Sequence, residues 1–151
     1  MLSIEDGLLL AATIGSGLIA GLCFTFASFL MRAFDELGAA QAIRTMQSVN
    51  RVILRSTAMA VWFGTLLIGI AAAVVAEERT LAIAAATLYA IGALLITGRG
   101  NVPLNEELDR VDPDDAGADE AWRTYRVRWG RWNAIRTVLC ALASAGFALA
   151  L

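Results

Sequence analysis

Histidine and lysine are absent from this chain of 151 residues, and each absence narrows its chemistry. Histidine is the commonest metal ligand and the side chain best suited to proton transfer near neutral pH. A Ser-His-Asp triad, a His-ligated haem, a facial-triad iron centre and a di-iron site built on Glu-x-x-His are therefore excluded. Cysteine is scarce: Cys23 and Cys140 each stand alone inside an apolar run, at no metal-ligand spacing. They fit small buried hydrophobes better than a disulfide. Neither a metal nor a cofactor is expected. Charge is also thin, at 17% of residues against 58% hydrophobic, and the net charge of −2 gives no reason to expect a nucleic-acid partner.

What fills the chain instead is long apolar runs. Residues 7–31 carry no charge and are long enough to cross a bilayer with some tilt. Glu5 and Asp6 stand where a cleaved signal peptide would have basic residues, and the run is too long for one. The second and third runs, 56–76 and 80–98, are separated by Glu77, Glu78 and Arg79, which predicts a tight helical hairpin. The fourth is short. After Arg136, a helix through the remaining apolar residues spans about 22 Å against a hydrocarbon core of roughly 30 Å. A span over 132–151 must draw Trp132, Asn133 and Arg136 to the membrane boundary or just below it. The expected fold class is all-α: a single integral membrane domain over 1–151, a four-transmembrane-helix bundle with helical extensions on the cytoplasmic side. Residues 39–55 should form one extension, and a helix capped by Asp119 should run from near Glu120 into the fourth span.

Arginine distribution sets the expected orientation. The first long loop carries Arg32, Arg44, Arg51 and Arg55, and the second carries Arg99, Arg110, Arg123, Arg126, Arg128 and Arg131. The termini and the hairpin offer only Arg79. The positive-inside rule places both long loops in the cytoplasm and both termini outside, most simply in a bacterial inner membrane. The lipid bilayer is the first partner; homo-oligomerisation stays open.

Two motifs resemble ligand sites. Gly15, Gly17 and Gly21 imitate a dinucleotide loop, but no strand precedes them, and Gly17 with Gly21 suits close helix packing in lipid. The acidic stretch from Asp112 to Glu120 imitates a calcium loop, yet Ala116 and Arg123 fall where oxygen ligands belong, as in a solvated turn. The arginines beyond it suit anionic headgroups.

Three polar clusters remain at the arginine-rich end. Gln47, Asn50 and Arg51 share one helix face by their i, i+3, i+4 spacing. Asn101 and Asn105 flank Pro103, which would start a short helix. Trp122, Arg126, Trp129, Asn133 and Arg136 form one stripe, adjoined by Trp132. The spacing fits two arrangements equally. Either these groups surround one pocket, since polar groups near lipid turn inward, or the amides and arginines tie helix ends while tryptophans form an interfacial belt.

The segments MQSVNR (46–51), NVPLNEEL (101–108) and W-x-x-W-N-x-x-R-T (129–137) occur in an order and spacing that resemble the anthrone-oxygenase family of small four-helix membrane proteins. The resemblance implies oxidation of an aromatic polyketide-type substrate by molecular oxygen without a cofactor, with a hydrophobic aromatic small molecule as partner. On that implication Asn101, Asn105 and Asn133 would hydrogen-bond a carbonyl or enolate oxygen, and Arg136 would stabilise its charge. Gln47, Asn50 and Arg51 would help bind the substrate, and Trp129 and Trp132 would stack on its rings. Glu106 and Glu107 are the nearby carboxylates for a general base. Ala134 stands where members of that family often have His after the Trp-Asn pair. The alternative class is a non-enzymatic membrane protein that binds a lipid or quinone, or an accessory subunit. A transporter fits less well, because the spans carry no acidic residue and no Pro-broken helix.

Overall fold

The structure is a computed structural model that describes residues 2–151. Five helices account for most of it, and no strand occurs among the described residues. Four are long and apolar enough to cross a membrane: α1 (Ile4–Asp35), α3 (Thr57–Val75), α4 (Arg79–Asp109) and α5 (Ala118–Leu149). The fifth, α2 (Ala39–Ile53), lies between α1 and α3 and packs on the arginine-rich ends of α1, α4 and α5. The protein is an integral membrane four-helix bundle with helical extensions at that end.

Local sequence explains the boundaries. Ser3 and Asp6 form a reciprocal capping box at the start of α1. Gly38, at φ 78°, supplies the left-handed residue that turns α1 into α2. The predicted hairpin is present: α3 leaves the helix at Ala76, and the Glu5 carboxylate accepts the Glu77 backbone N–H, pinning that turn to the start of α1. Around the bundle the order is α1, α3, α4, α5, so sequence-adjacent spans and the first and last are neighbours, and all four neighbouring pairs are antiparallel.

Two expectations are refined. Pro103 does stand in the first turn of an α-wound segment, Val102–Asp109, with Asn101 at its cap, but that segment continues α4 without a break. Residues Ile91–Asn101 are wound as a π-helix, with the Val102 N–H donating to the Thr97 carbonyl five residues back. That wider winding takes up the ring and the missing N–H of Pro103 at the next turn. At the other point, α5 begins at Ala118 with Gly117 at its cap. Asp119 therefore sits in the first turn, where its carboxylate faces the positive end of the helix dipole.

Packing in the apolar half relies on small residues. Ala12, Ala72, Ala82 and Ala85 surround the fully buried Phe147, whose ring lies against Gly69. Of the glycine motif, Gly15 makes the tight contact: a side chain there would overlap Thr65 of α3. Gly17 meets Ser144 of α5, whereas Gly21 is exposed with open space around it. Packing therefore uses the first two glycines, not Gly17 with Gly21. Cys23 and Cys140 are buried free thiols. Phe24, Phe63, Leu67, Val74 and Leu142 face outward, as lipid-exposed surfaces require.

At the arginine-rich end the core turns aromatic. Trp122, Tyr125 and Trp129 on α5 pack on Phe26, Phe34 and Met46. Asp35, at the end of α1, accepts from Trp122 Nε1 at 2.8 Å and from Arg126 at 2.6 Å. Removing the carboxylate leaves a buried indole N–H unpaired. Asp35→Ala is expected to cost about 1–2 kcal/mol, to be read as a lower unfolding midpoint in lipid nanodiscs.

Candidate functional site

Where the π-wound part of α4 meets α1, α2, α3 and α5, the bundle forms a half-open cavity of about 610 Å³. Its walls are mostly apolar: Leu22, Phe26, Met46, Met59, Phe63 and Leu94 all contribute. Size and lining are those of a small-molecule site. Into this apolar space project Asn50 and Arg51 of α2, Thr97, Asn101 and Asn105 of α4, and Trp129 and Arg136 of α5.

Arg136 is the unusual member. It is only 7% exposed, yet no carboxylate among the described residues lies within ion-pair distance. A guanidinium is charged at any accessible pH, so this is a buried, uncompensated cation. Its fork is held by neutral groups: it donates to Asn133 Oδ1 at 2.7 Å and to Thr97 Oγ1 at 3.3 Å. Trp62 and Trp129 lie against it, with ring centroids 5.3 and 5.7 Å from the guanidinium carbon. Both offer their π-faces to the charge. Asn133 donates in turn to the Cys23 carbonyl of α1 at 2.8 Å, which fixes its own oxygen toward Arg136.

Among the described residues, four buried side-chain polar atoms have no hydrogen-bond partner: Asn50 Nδ2, Asn101 Oδ1, Trp129 Nε1 and Arg136 Nε. All four residues line this one cavity. Buried polar groups are nearly always satisfied, so this concentration points to partners from outside the chain, water or a ligand. Three of the four atoms are donors. A ligand whose oxygens accept hydrogen bonds and carry negative charge would suit them and the cation together.

The structure brings some of the predicted site residues together and places others apart. Asn50, Arg51, Asn101, Asn105, Trp129 and Arg136 line the cavity. Asn101 is oriented by its own donation to the Trp129 carbonyl at 3.2 Å, and Asn105 accepts from the Tyr125 hydroxyl at 2.9 Å. Arg51 sits at the mouth beside Asp109, 3.4 Å away. Asn133 is fully buried behind the wall and reaches the cavity only through Arg136. Gln47 is spent on the Leu108 and Val111 carbonyls, tying α2 to the end of α4. Trp132 lies outside the cavity, 38% exposed, with its indole against Gly100. Of the two carboxylates, Glu106 lines the cavity, whereas Glu107 turns to Arg128 on the other side of α4. Ala134 is exposed, so that position contributes nothing to the cavity.

Sequence reasoning missed Trp62, Thr97 and Asp109. Trp62 and Thr97 sit inside apolar runs whose polarity pattern gives no signal. Trp62 donates to the Ala93 carbonyl at 3.0 Å and accepts at its own carbonyl from the Tyr89 hydroxyl, joining α3 to α4 beside the cavity.

No curated protein and no solved structure matches the chain. The anthrone oxygenase family does, over residues 45–146. That region holds Asn50, Asn101, Asn105, Trp129 and Arg136 together with the three segments that first suggested the relationship. With more than half of its length matched, this chain belongs to the anthrone oxygenase family.

Proposed function

We propose that the protein is a cofactor-independent oxygenase that converts a planar, polycyclic aromatic substrate with an acidic C–H, of the anthrone type, into the corresponding quinone. The single observation that carries this reading is Arg136, a buried cation without an anion, opening onto an apolar cavity with three other unpartnered polar atoms. In a low-dielectric site such a charge stabilises an anion that forms only during reaction.

The chemistry balances without a redox group. The substrate's methylene C–H breaks, and its proton passes to Glu106, the cavity-lining carboxylate with the longer ion pair: 3.9 Å to Arg110, against 3.4 Å between Asp109 and Arg51. The electron pair delocalises onto the ring carbonyl as an enolate, with Arg136 Nε and the Trp129 and Asn50 N–H groups facing its oxygen. That carbanion reduces molecular oxygen to the peroxide level as the new C–O bond forms. Loss of water then leaves the second carbonyl: one oxygen atom ends in the quinone and the other in water. Trp62 and Trp129 wall the flat ring system. The positive-inside rule favours the cytoplasmic side of the membrane for this chemistry.

The test is oxygen uptake by the purified protein in nanodiscs on addition of anthrone. One oxygen consumed per anthrone, with anthraquinone as product, supports the proposal. Saturable anthraquinone or quinone binding with no uptake above the protein-free rate would replace it with a non-enzymatic binding role.

A further inference from the structure

The rim of the cavity changes character along α4. Leu94, Gly98 and Val102 form an apolar stretch at helical spacing, with Phe63 of α3 also lining the cavity. The same stripe continues into Glu106 and Asp109, which with Arg51 of α2 make a charged stretch turned toward the loops. Phe63 is 53% exposed and Leu94 and Val102 are each 40% exposed, although all three line the interior. A residue that is both wall and outer surface marks an opening. Here it falls on the lipid-facing flank of the bundle, within and beside the apolar runs of α3 and α4.

The backbone explains why the opening exists. Helix α3 packs closely on Arg79–Ala90 of α4, but the π-wound stretch Ile91–Asn101 leans onto α5 instead and leaves α3. The two helices therefore part like a wedge toward the arginine-rich end, and the Trp62 indole bridges the gap to Ala93. Gly98 stands at the rim with open space where a side chain would begin.

The geometry points to a lateral portal between α3 and α4, bounded by Phe63, Leu94 and Gly98, through which an apolar aromatic ligand enters the cavity from the bilayer rather than from water. This rests on the functional reading above for the class of ligand. The portal adds its physical source: a neutral, membrane-partitioned molecule that acquires charge only once it is beside Arg136. Its route follows from solvation, because such a molecule is concentrated in lipid and moves along a wholly apolar rim without desolvating a charge. The charged rim is then left for exchange of protons with water.

The experiment uses the full chain in phosphatidylcholine nanodiscs mixed in stopped flow with vesicles of the same lipid carrying anthraquinone, read by quenching of intrinsic tryptophan fluorescence. Gly98→Phe, at a position open to a new Cβ, narrows the rim and is expected to slow association and release alike by about tenfold, leaving Kd unchanged. Phe63→Ala removes an exposed side chain and is expected to speed both. Leu67→Phe, on the lipid face of α3 away from the cavity, should match wild type. Wild-type binding with rates unaltered by either rim substitution overturns the portal and leaves the functional reading standing. A change in Kd with the association rate unaltered also overturns it, because the rim would then be part of the seat and not of the path. Absence of quenching in the wild type overturns the ligand class and the portal together.

Discussion

Arg136→Gln is expected to lower anthrone turnover by about 10²–10³-fold, the usual scale for losing one donor aimed at a developing oxyanion. The glutamine amide can still donate to Asn133 Oδ1, so the hub that ties α5 to Cys23 of α1 survives. Two opposed terms set the stability. Removing a buried cation with no counter-ion relieves its desolvation. Removing it from between Trp62 and Trp129 forfeits two cation–π contacts, of about 0.5–2 kcal/mol each. These are similar in size, so the unfolding midpoint should stay close to wild type while activity is lost. A structural arginine behaves differently: its removal would lower stability and activity in step. Oxygen uptake and thermal unfolding measured on the same nanodisc preparation separate the two.

Gly15→Ala is expected to destabilise the bundle by about 1–3 kcal/mol, the range for overpacking a tight interior. Its new methyl would occupy the space of the Thr65 side chain, in a buried contact between α1 and α3. Neither partner has a loop or a flexible end to move. Gly21→Ala is the internal control. That site is exposed with nothing near the new Cβ, so the higher helix propensity of alanine should leave stability equal or raise it by about 0.5–1 kcal/mol. Unfolding of both variants in the same detergent, compared with wild type, reads the difference. Equal effects at the two positions would refute the packing described for α1.

These two residues also mark where the sequence was informative and where it was not. Four uncharged runs declare four spans, because lipid leaves the backbone no other option. The shortness of the last run places Arg136 near the membrane boundary by simple length, and the stripe from Trp122 through Asn133 to Arg136 follows from helical period alone. Periodicity also tells which face turns inward, but it cannot tell cavity from packed core. Trp129 and Asn133 lie on the same buried stripe, yet only Trp129 lines the cavity, since which one meets empty space depends on the helix opposite. Gln47 and Asn50 likewise share a face of α2. One is consumed by carbonyls at the end of α4, the other is left unpaired, and only the position of α4 decides between them.

The π-winding of Ile91–Asn101 was hidden for another reason. Pro103 announces that the backbone must depart from regular α-helix nearby, but a break and a widened turn satisfy that demand equally well. The structure takes the widened turn. One consequence is the divergence of α4 from α3 that opens the cavity, and another is the placement of Asn101 inside it. The glycine motif serves packing, as its setting implies, but not through the pair that its spacing suggests. Spacing alone identifies a small-residue face, whereas the rotation of α1 in the bundle selects Gly15 and Gly17 over Gly21.

The central claim is that this cavity stabilises the conjugate anion of its substrate at Arg136, and an optical measurement under argon addresses it directly. Without oxygen the reaction stops at deprotonation, and the anthrone anion absorbs at longer wavelength than neutral anthrone. Wild-type protein mixed with anthrone at neutral pH should show the anion band, saturating with protein concentration and missing in Arg136→Gln. A bound spectrum that stays that of neutral anthrone, or an anion band of equal strength in the variant, would contradict the account.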